Sequence, residues 1–305
     1  MSSELRPFLA VYGHYVELES GETRDVLLAL RRLQGPHSGE NKAACVWQVA
    51  AEYGITRKLG HFTVVNSAPS CNALQHIADK SALIGIPFDP AHLVFCFRDV
   101  LEVAGKAVLW SKNTAAISPH LDEDVEPNAQ MEALRYWGSG GPVGRLHICI
   151  QHILMSPDRR DRFLEDARGY GLDGESLSMI ATSGSSWSED YAAIVQALRL
   201  RNPLDDYLAC VPYLDQNRDD GIPVPDKLSP QDWDDLRTII MLMKPFQTWR
   251  TYLQQKRTTA RLSDVLPAYD ELISHLEAEI IVHRPPNGSR CVLFSLTAGW
   301  LRLRE

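Results

Sequence analysis

Two short apolar segments, each followed by a stretch with helical periodicity, constrain the fold of this chain more than any other feature. The strands are predicted at residues 61–66 and 92–97, and the following helices at residues 70–83 and 100–110. Parallel neighbouring strands need such a crossover helix, and the crossover is almost always right-handed. The pattern therefore predicts an α/β fold with a parallel strand pair.

A β-hairpin is predicted ahead of this unit. Residues 8–18 and 23–33 are rich in β-branched and aromatic side chains, and the four residues between them are typical of a turn. Ser38 is the predicted N-cap of a helix that runs through Tyr53 and ends at Gly54. The order hairpin, helix, strand, helix, strand, helix predicts one mixed sheet. It fits the ribonuclease-H-like layout, and it fits many other α/β domains too.

The chain changes character after Trp110. Residues 113–127 are polar and acidic, Ser139-Gly140-Gly141-Pro142 interrupts the chain, and the sequence from Val143 onward has mostly helical periodicity. Helices are predicted at residues 143–155, from Pro157 onward, and at 188–200, 229–255 and 262–283. The predicted organisation is a core at 1–112, a linker at 113–142, a helical segment returning to the core at 143–187 and a helical insertion at 188–305.

Composition removes several classes of protein. The net charge is −8 and the pI is about 5.7. The whole chain therefore lacks the excess of basic residues that is typical of proteins that bind DNA without a partner. The six cysteines form no CxxC pair, which gives no zinc framework. No apolar run approaches the roughly 18 residues of a membrane span, and the N-terminus lacks the profile of a secretory signal, so we expect an intracellular protein without membrane contact. A serine hydrolase is not indicated, because no GxSxG occurs.

Six sets of motifs occur in order along nearly the whole chain. They are residues 27–30 with His37-Ser38-Gly39-Glu40-Asn41, residues 53–62, residues 141–147 with 156–163, residues 228–233 with 243–246, residues 262–276 and residues 295–300. In order and spacing this set resembles the hAT-superfamily DNA transposases, especially their fungal members. The resemblance implies a ribonuclease-H-like mixed-sheet core with a mostly α-helical insertion. It also implies a nuclear location, and weakly bound DNA, transposase-like proteins or a second copy of the chain as partners.

The resemblance also implies a chemistry, and the residues for it are missing. Transposases of this family cut and join DNA with two divalent metal ions such as Mg²⁺, held by three carboxylates. The position that matches the second aspartate is Val65, and Asn66 is neutral and one residue out of register, on the opposite strand face. The resemblance further implies that the chain begins at or after the first strand and ends before the helix that carries the glutamate. We therefore expect no bound metal, no cofactor and no catalytic activity.

One acidic residue remains near these vestigial positions. Asp99 could form a weak metal site with Asn66, since both follow predicted neighbouring strands. The alternative is that Asp99 caps a helix that starts at Val100, which is the commoner role of an aspartate in this position.

Four residues are candidates for contact with nucleic acid. Arg145, Arg159 and Arg160 could bind phosphates, and Trp187 could stack on a base. The alternatives are a solvated helix face paired with Asp158, Glu165 and Asp166, and a packing role for Trp187.

Three hypotheses on function stay open. The first is a transposase-derived, inactive protein with a residual role in DNA association or protein interaction. The second is a non-cleaving nucleic-acid-binding module that competes with an active transposase. The third is a fragment without activity, which an exposed apolar sheet edge at the hairpin would favour.

Overall fold

The computed structural model describes residues 8–33, 35–65, 67–86, 88–90, 92–110, 141–154, 156–171, 186–214, 226–255, 262–284, 286 and 288–304. It is a mixed α/β structure with two compact units, Met1–Val100 and Leu101–Glu305. The boundary falls inside a helix, α3 (Phe97–Trp110). Most of the predicted linker, residues 113–140, lies outside the described residues.

The predicted hairpin is confirmed. Strands β1 (Phe8–Val16) and β2 (Thr23–Arg32) pair antiparallel, from Phe8 opposite Arg32 to Val16 opposite Thr23. Gly21 closes the turn with a φ of 69°, a left-handed conformation that glycine adopts without steric cost. The register shifts between Val11 and Tyr12, where β2 carries an extra residue.

The parallel strand pair is also confirmed, but the single mixed sheet is wrong. Strands β3 (Phe62–Val64) and β4 (Leu93–Phe95) pair parallel on either side of helix α2 (Ala68–Leu83). Among the described residues, this pair and the hairpin are two separate two-stranded sheets. Turn chemistry and the crossover rule specify pairing within each unit. Neither specifies which strand edges join the two units, so the sequence pattern could not decide it.

Helix α1 (Gly39–Glu52) follows its predicted caps. The Ser38 side chain accepts a hydrogen bond from the Asn41 backbone N–H, and Gly54 follows the helix with a φ of 65°. A Cβ atom on Gly39 would lie 2.8 Å from the Ala73 nitrogen, so this glycine permits close approach to α2. The core of the first unit forms at this contact, from Ala43, Ala73, Leu74 and Ile77.

Helices dominate the second unit. They are α4 (Pro142–Leu154), α5 (Pro157–Arg168), α6 (Trp187–Arg199), α7 (Arg201–Leu214), α8 (Pro230–Leu242), α9 (Lys244–Gln255), α10 (Leu262–Val282) and α11 (Arg290–Arg304). The prediction of one helix over 229–255 is wrong, because the chain turns at Met243. Pro245 lacks a backbone N–H, so it cannot continue the hydrogen-bond ladder of α8, and it suits the first turn of α9.

Candidate functional site at the ends of the parallel strands

The carboxyl ends of β3 and β4 lie side by side. Val64 is opposite Phe95 in the parallel register, and the Cys96 backbone N–H donates to the Val64 carbonyl at 2.8 Å. Val65 and Cys96 therefore leave the sheet at the same edge. Ligands bind at such strand ends in open α/β sheets, which makes this edge the place to test for a metal site.

Val65 lies at this edge with 57% of its surface exposed. Its branched hydrocarbon side chain offers no lone pair to a cation. Asn66 lies outside the described residues, so the predicted weak site formed by Asn66 and Asp99 stays a prediction.

Asp99 lies in the first turn of α3. The helix begins at Phe97, so the prediction of a helix starting at Val100 with Asp99 as its cap is wrong by three residues. The Asp99 backbone N–H donates to the Cys96 carbonyl at 2.8 Å, which makes Asp99 the third residue of the helix. A carboxylate in the first turn interacts favourably with the helix dipole, so the residue has a structural role at the helix start.

Apart from the exposed Arg98, which as a cation cannot bind a metal ion, the remaining polar groups named near this edge are neutral. The Ser67 and Ser70 hydroxyls are 2.9 Å apart, and Cys71 and Cys96 are half-buried free thiols. A pair of magnesium ions needs several anionic oxygen ligands, and this set does not fit that requirement. Within the described ranges, no group of three or more His, Cys, Asp and Glu residues could hold a metal ion.

The structure separates the four predicted nucleic-acid contacts. Arg145 forms an ion pair with Asp232 at 2.5 Å, and the Asp232 side chain is 1% exposed. Arg159 is 2% exposed and Trp187 is 1% exposed, whereas Arg160 is exposed. Contact with DNA stays a prediction for these residues. The observed burial supports the packing alternative for Trp187. The alternative of a solvated helix face is wrong for Arg159, which is buried.

Trp187 fills a notch in α3 at Gly105. A Cβ atom on Gly105 would lie 2.6 Å from the Trp187 ring, so only glycine leaves room for the indole. The ring meets Tyr191 and Phe246 edge-on, with centroids 6.2 Å and 6.3 Å away.

The start of α6, which carries this indole, is held by a carboxylate that the sequence analysis missed. Glu102 accepts hydrogen bonds from the Trp187 backbone N–H at 3.0 Å and from the Ser186 hydroxyl at 3.2 Å. No local motif marks Glu102 for this role, because its partners lie more than 80 residues away in the chain.

A second buried polar cluster joins α4 and α8. The Asp232 carboxylate binds Arg145 and also accepts from the Ser229 backbone N–H and hydroxyl, each at 2.7 Å. The Ser229 hydroxyl accepts in turn from the Asp232 backbone N–H, which completes a capping box at the start of α8. One carboxylate therefore fixes a helix start and neutralises a half-buried arginine.

Two further buried carboxylates have perturbed titration. Burial raises the pKa of Asp190, and the hydrogen bond that its carboxylate accepts from the Trp110 indole at 2.6 Å opposes that shift. Burial likewise raises the pKa of Asp235, against hydrogen bonds from Gln231 and Ser289. Asp190 lines a small pocket with Trp110 and His147, and burial lowers the pKa of His147. Desolvation thus favours the neutral form of both groups in that pocket.

Comparison with known proteins gives one family and one relative. Residues 1–84 match the model of the ZBED1 RNase-like domain. A protein of Talaromyces stipitatus named "Putative transcriptional regulator tpeD" is 24% identical over 278 residues. That alignment covers 88% of this chain and 30% of the relative, so the chain spans less than a third of the relative's length. No solved structure matches. None of the described helices combines the length and apolar character needed to cross a membrane. The N-terminal part of the chain is thus similar to an RNase-like domain.

Proposed function

We propose that this chain derives from an hAT transposase, does not cleave DNA and acts as a regulatory protein through contacts with other proteins. Three observations support the derivation and the regulatory role. Residues 1–84 match an RNase-like domain, hAT-like motifs run along most of the chain, and the relative tpeD is named as a regulator of transcription. The proposal includes a nuclear location, which fluorescence of the tagged chain in fungal cells would test.

The observation that carries the loss of cleavage is Val65. Phosphoryl transfer by two metal ions depends on ligands that fix both ions beside the attacking and leaving oxygens. The strand end where the resemblance requires an aspartate presents a valine that is 57% exposed. Asp99, the acid that follows the neighbouring strand, lies in the first turn of α3. A single carboxylate is a poor ligand set for two divalent ions.

The charge around α5 favours a protein partner over DNA. The exposed side chains of α5 include the acids Asp158, Asp161, Glu165 and Asp166 against the arginines Arg160 and Arg168. The half-buried Arg162 lies on the same side of the helix, so four acids face three arginines and the surface is weakly acidic. The whole chain carries a net charge of −8. Phosphate backbones bind surfaces with an excess of Lys and Arg, and this face carries no such excess.

A cleavage assay tests the loss of activity directly. The purified chain is incubated with Mg²⁺ or Mn²⁺ and linear duplex DNA, beside an active hAT transposase with its own DNA ends as the positive control. We expect no cleavage or strand-transfer product above background from this chain. Metal-dependent cleavage that disappears in a folded Asp99→Asn variant would overturn the proposal.

The exposed Arg160 favours a second candidate function, that of a non-cleaving DNA-binding module. If Arg160 binds phosphate, Arg160→Ala should weaken the binding of labelled DNA and make that binding less dependent on salt. Arg168→Ala on the same helix is the matched control. We expect weak retention that neither substitution changes. A selective loss in Arg160→Ala would replace the protein-binding proposal with this one.

A further inference from the structure

The hairpin carries an apolar face without a partner among the described residues. Strand alternation and the register place ten residues on this outer face: Phe8, Ala10, Tyr12, His14 and Val16 of β1, and Thr23, Asp25, Leu27, Leu30 and Arg32 of β2. Five of them are large apolar side chains with high exposure, namely Phe8 at 58%, Tyr12 at 60%, Val16 at 61%, Leu27 at 48% and Leu30 at 61%. Contiguous exposed apolar patches on soluble proteins mark interaction sites.

The opposite face of the hairpin contacts α1 over part of its length. Arg31 forms an ion pair with Glu52 of α1, and the Tyr53 hydroxyl donates to the Leu28 carbonyl at 2.8 Å. Leu9 and Val11, which lie on this inner face, are only partly exposed. Tyr15 and Val26 on the same face, towards the turn, are 52% and 39% exposed. The inner face is therefore partly covered by α1, whereas the outer face is exposed along its whole length.

The charges on the outer face lie at its two ends and have opposite signs. Arg32 lies at the end that begins with Phe8, and Asp25 lies near the end that closes with Val16. Asp25 also binds His14 Nδ1 at 2.7 Å. The middle of the face, around Ala10, Tyr12, Leu27 and Leu30, carries no charged residue.

We propose that a second copy of this chain docks on the outer face, with the two hairpins packed face to face and their strands running in opposite directions. A two-fold axis across the strands brings Arg32 of each copy over the Asp25 end of the other, and Phe8 over the Val16 end. The uncharged middles then meet each other, so each contact across the interface pairs opposite charges or apolar groups. Sheets packed in this way lie about 10 Å apart with interdigitated side chains. This goes beyond the proposed function and holds whether or not the chain regulates transcription.

The area of the outer face determines how stable the proposed dimer can be. Two paired strands of nine residues cover on the order of 300 Å² of flat area per copy, from a rise of about 3.4 Å per residue and a strand spacing of about 4.8 Å. That is well below the roughly 800 Å² per partner of a standard specific interface, so the contact is weak. We therefore expect a reversible dimer whose population depends on concentration.

Sedimentation velocity of the full chain over a concentration series tests the proposal. We expect a monomer–dimer equilibrium that Leu30→Lys weakens at least about tenfold, because it places like charges together in the middle of the interface. Leu83→Lys is the matched control, since Leu83 is 86% exposed on α2 and lies outside the face. Circular dichroism confirms that both variants fold, which the high exposure of both leucines permits.

Charge reversal gives a second, independent readout. Arg32→Asp and Asp25→Arg should each weaken the dimer, and the variant with both changes should restore it, because the two ends then attract again with reversed signs. A chain that stays monomeric throughout, or equal behaviour of Leu30→Lys and Leu83→Lys, would overturn the proposal and point to another occupant of the face. Failure of the double variant to restore the dimer would overturn the opposed arrangement.

Discussion

The two units of the molecule bury their side chains to different degrees. In the second unit Trp187 and Trp233 are each 1% exposed, and Phe163 and Phe246 are fully buried. In the first unit no residue of β3 or β4 is fully buried, and the outer face of the hairpin alone exposes five large apolar side chains. A catalytic centre needs ligands held rigidly by packed neighbours. The strand ends of the first unit lack such support, whereas the helical unit has a dense core of its own.

The two units also differ in how their polar groups are buried and hydrogen-bonded. The second unit buries Asp232, Asp190 and Asp235, and each of them accepts hydrogen bonds from defined donors. Around the strand ends of the first unit, Val65 is exposed and the nearby thiols are half-buried. Stability should therefore depend on single residues of the helical unit far more than on residues at the strand ends.

The largest expected effect is Trp187→Ala. Loss of a fully buried indole packed against Gly105 leaves a cavity, and the expected cost is about 3–5 kcal/mol in the free energy of unfolding by urea. Trp249→Ala is the matched control, because the indole of that half-buried tryptophan donates to the exposed Glu271. Equal losses in the two variants would contradict the difference in packing, and Trp187→Phe provides a milder variant if Trp187→Ala does not fold.

Asp232→Ala should have the next largest effect. It removes the partner of Arg145 and the capping box of α8 together, at a cost of about 3 kcal/mol. Asp234→Ala removes an acid two residues away that binds Arg237 in an exposed pair, which should cost under about 1 kcal/mol. Equal unfolding free energies for the two variants would show that the buried pair adds nothing.

Local patterns predicted the elements of the fold well and their assembly less well. The caps of α1 at Ser38 and Gly54, the hairpin and the parallel strands all follow from residues near each other in the chain. The separation of the two sheets does not, because strand edges that could join lie far apart in sequence. The turn at Met243 was missed for a different reason, since a continuous helical pattern hid the effect of Pro245.

At the candidate site, too, the sequence predicted local features but not contacts between residues far apart in the chain. The apolar run located the end of β3 in the sequence, and the structure confirms the strand. Because the residue at that end is a valine, the sequence predicts that no metal-binding side chain is present at position 65. The burial of Arg145 and Arg159 could not be predicted, because a basic run looks the same on a solvated face and against a core. The partner of Arg145 is Asp232, which lies 87 residues away in the chain, so no local pattern contains the pair.

A smaller effect is expected from Gly39→Ala, which tests the tightest contact of the first unit. The added Cβ would lie 2.8 Å from the Ala73 nitrogen and from the Pro69 carbonyl oxygen, so α1 and α2 must separate, at a cost of about 1–3 kcal/mol. Gly60→Ala is the matched control, because no atom lies within 4 Å of its added Cβ. If Gly39→Ala leaves the free energy of unfolding unchanged, the contact between α1 and α2 is as loosely packed as the strand ends.

The pH dependence of stability gives a subtler comparison within the helical unit. Burial raises the pKa of Asp190 in the folded chain, so the folded state holds its proton more tightly than the unfolded state does. The unfolding free energy should therefore fall as pH rises from about 4, the unfolded value, through the raised value. Asp190→Asn keeps an acceptor for Trp110 and should remove this loss, whereas the exposed Glu189→Gln should not. Parallel pH profiles for the wild-type chain and Asp190→Asn would contradict the burial effect.

The smallest change in stability is expected at the position that matters most for function. Val65 is 57% exposed, so Val65→Asp should alter the unfolding free energy by no more than about 0.5 kcal/mol. It restores one carboxylate at the strand end, with Val65→Asn as the uncharged control of similar shape. Because one added ligand beside Asp99 still falls short of the set that two ions require, we expect no metal-dependent cleavage from either variant. Cleavage by Val65→Asp alone would show that the remaining ligands are present and that the loss of activity rests on this single side chain.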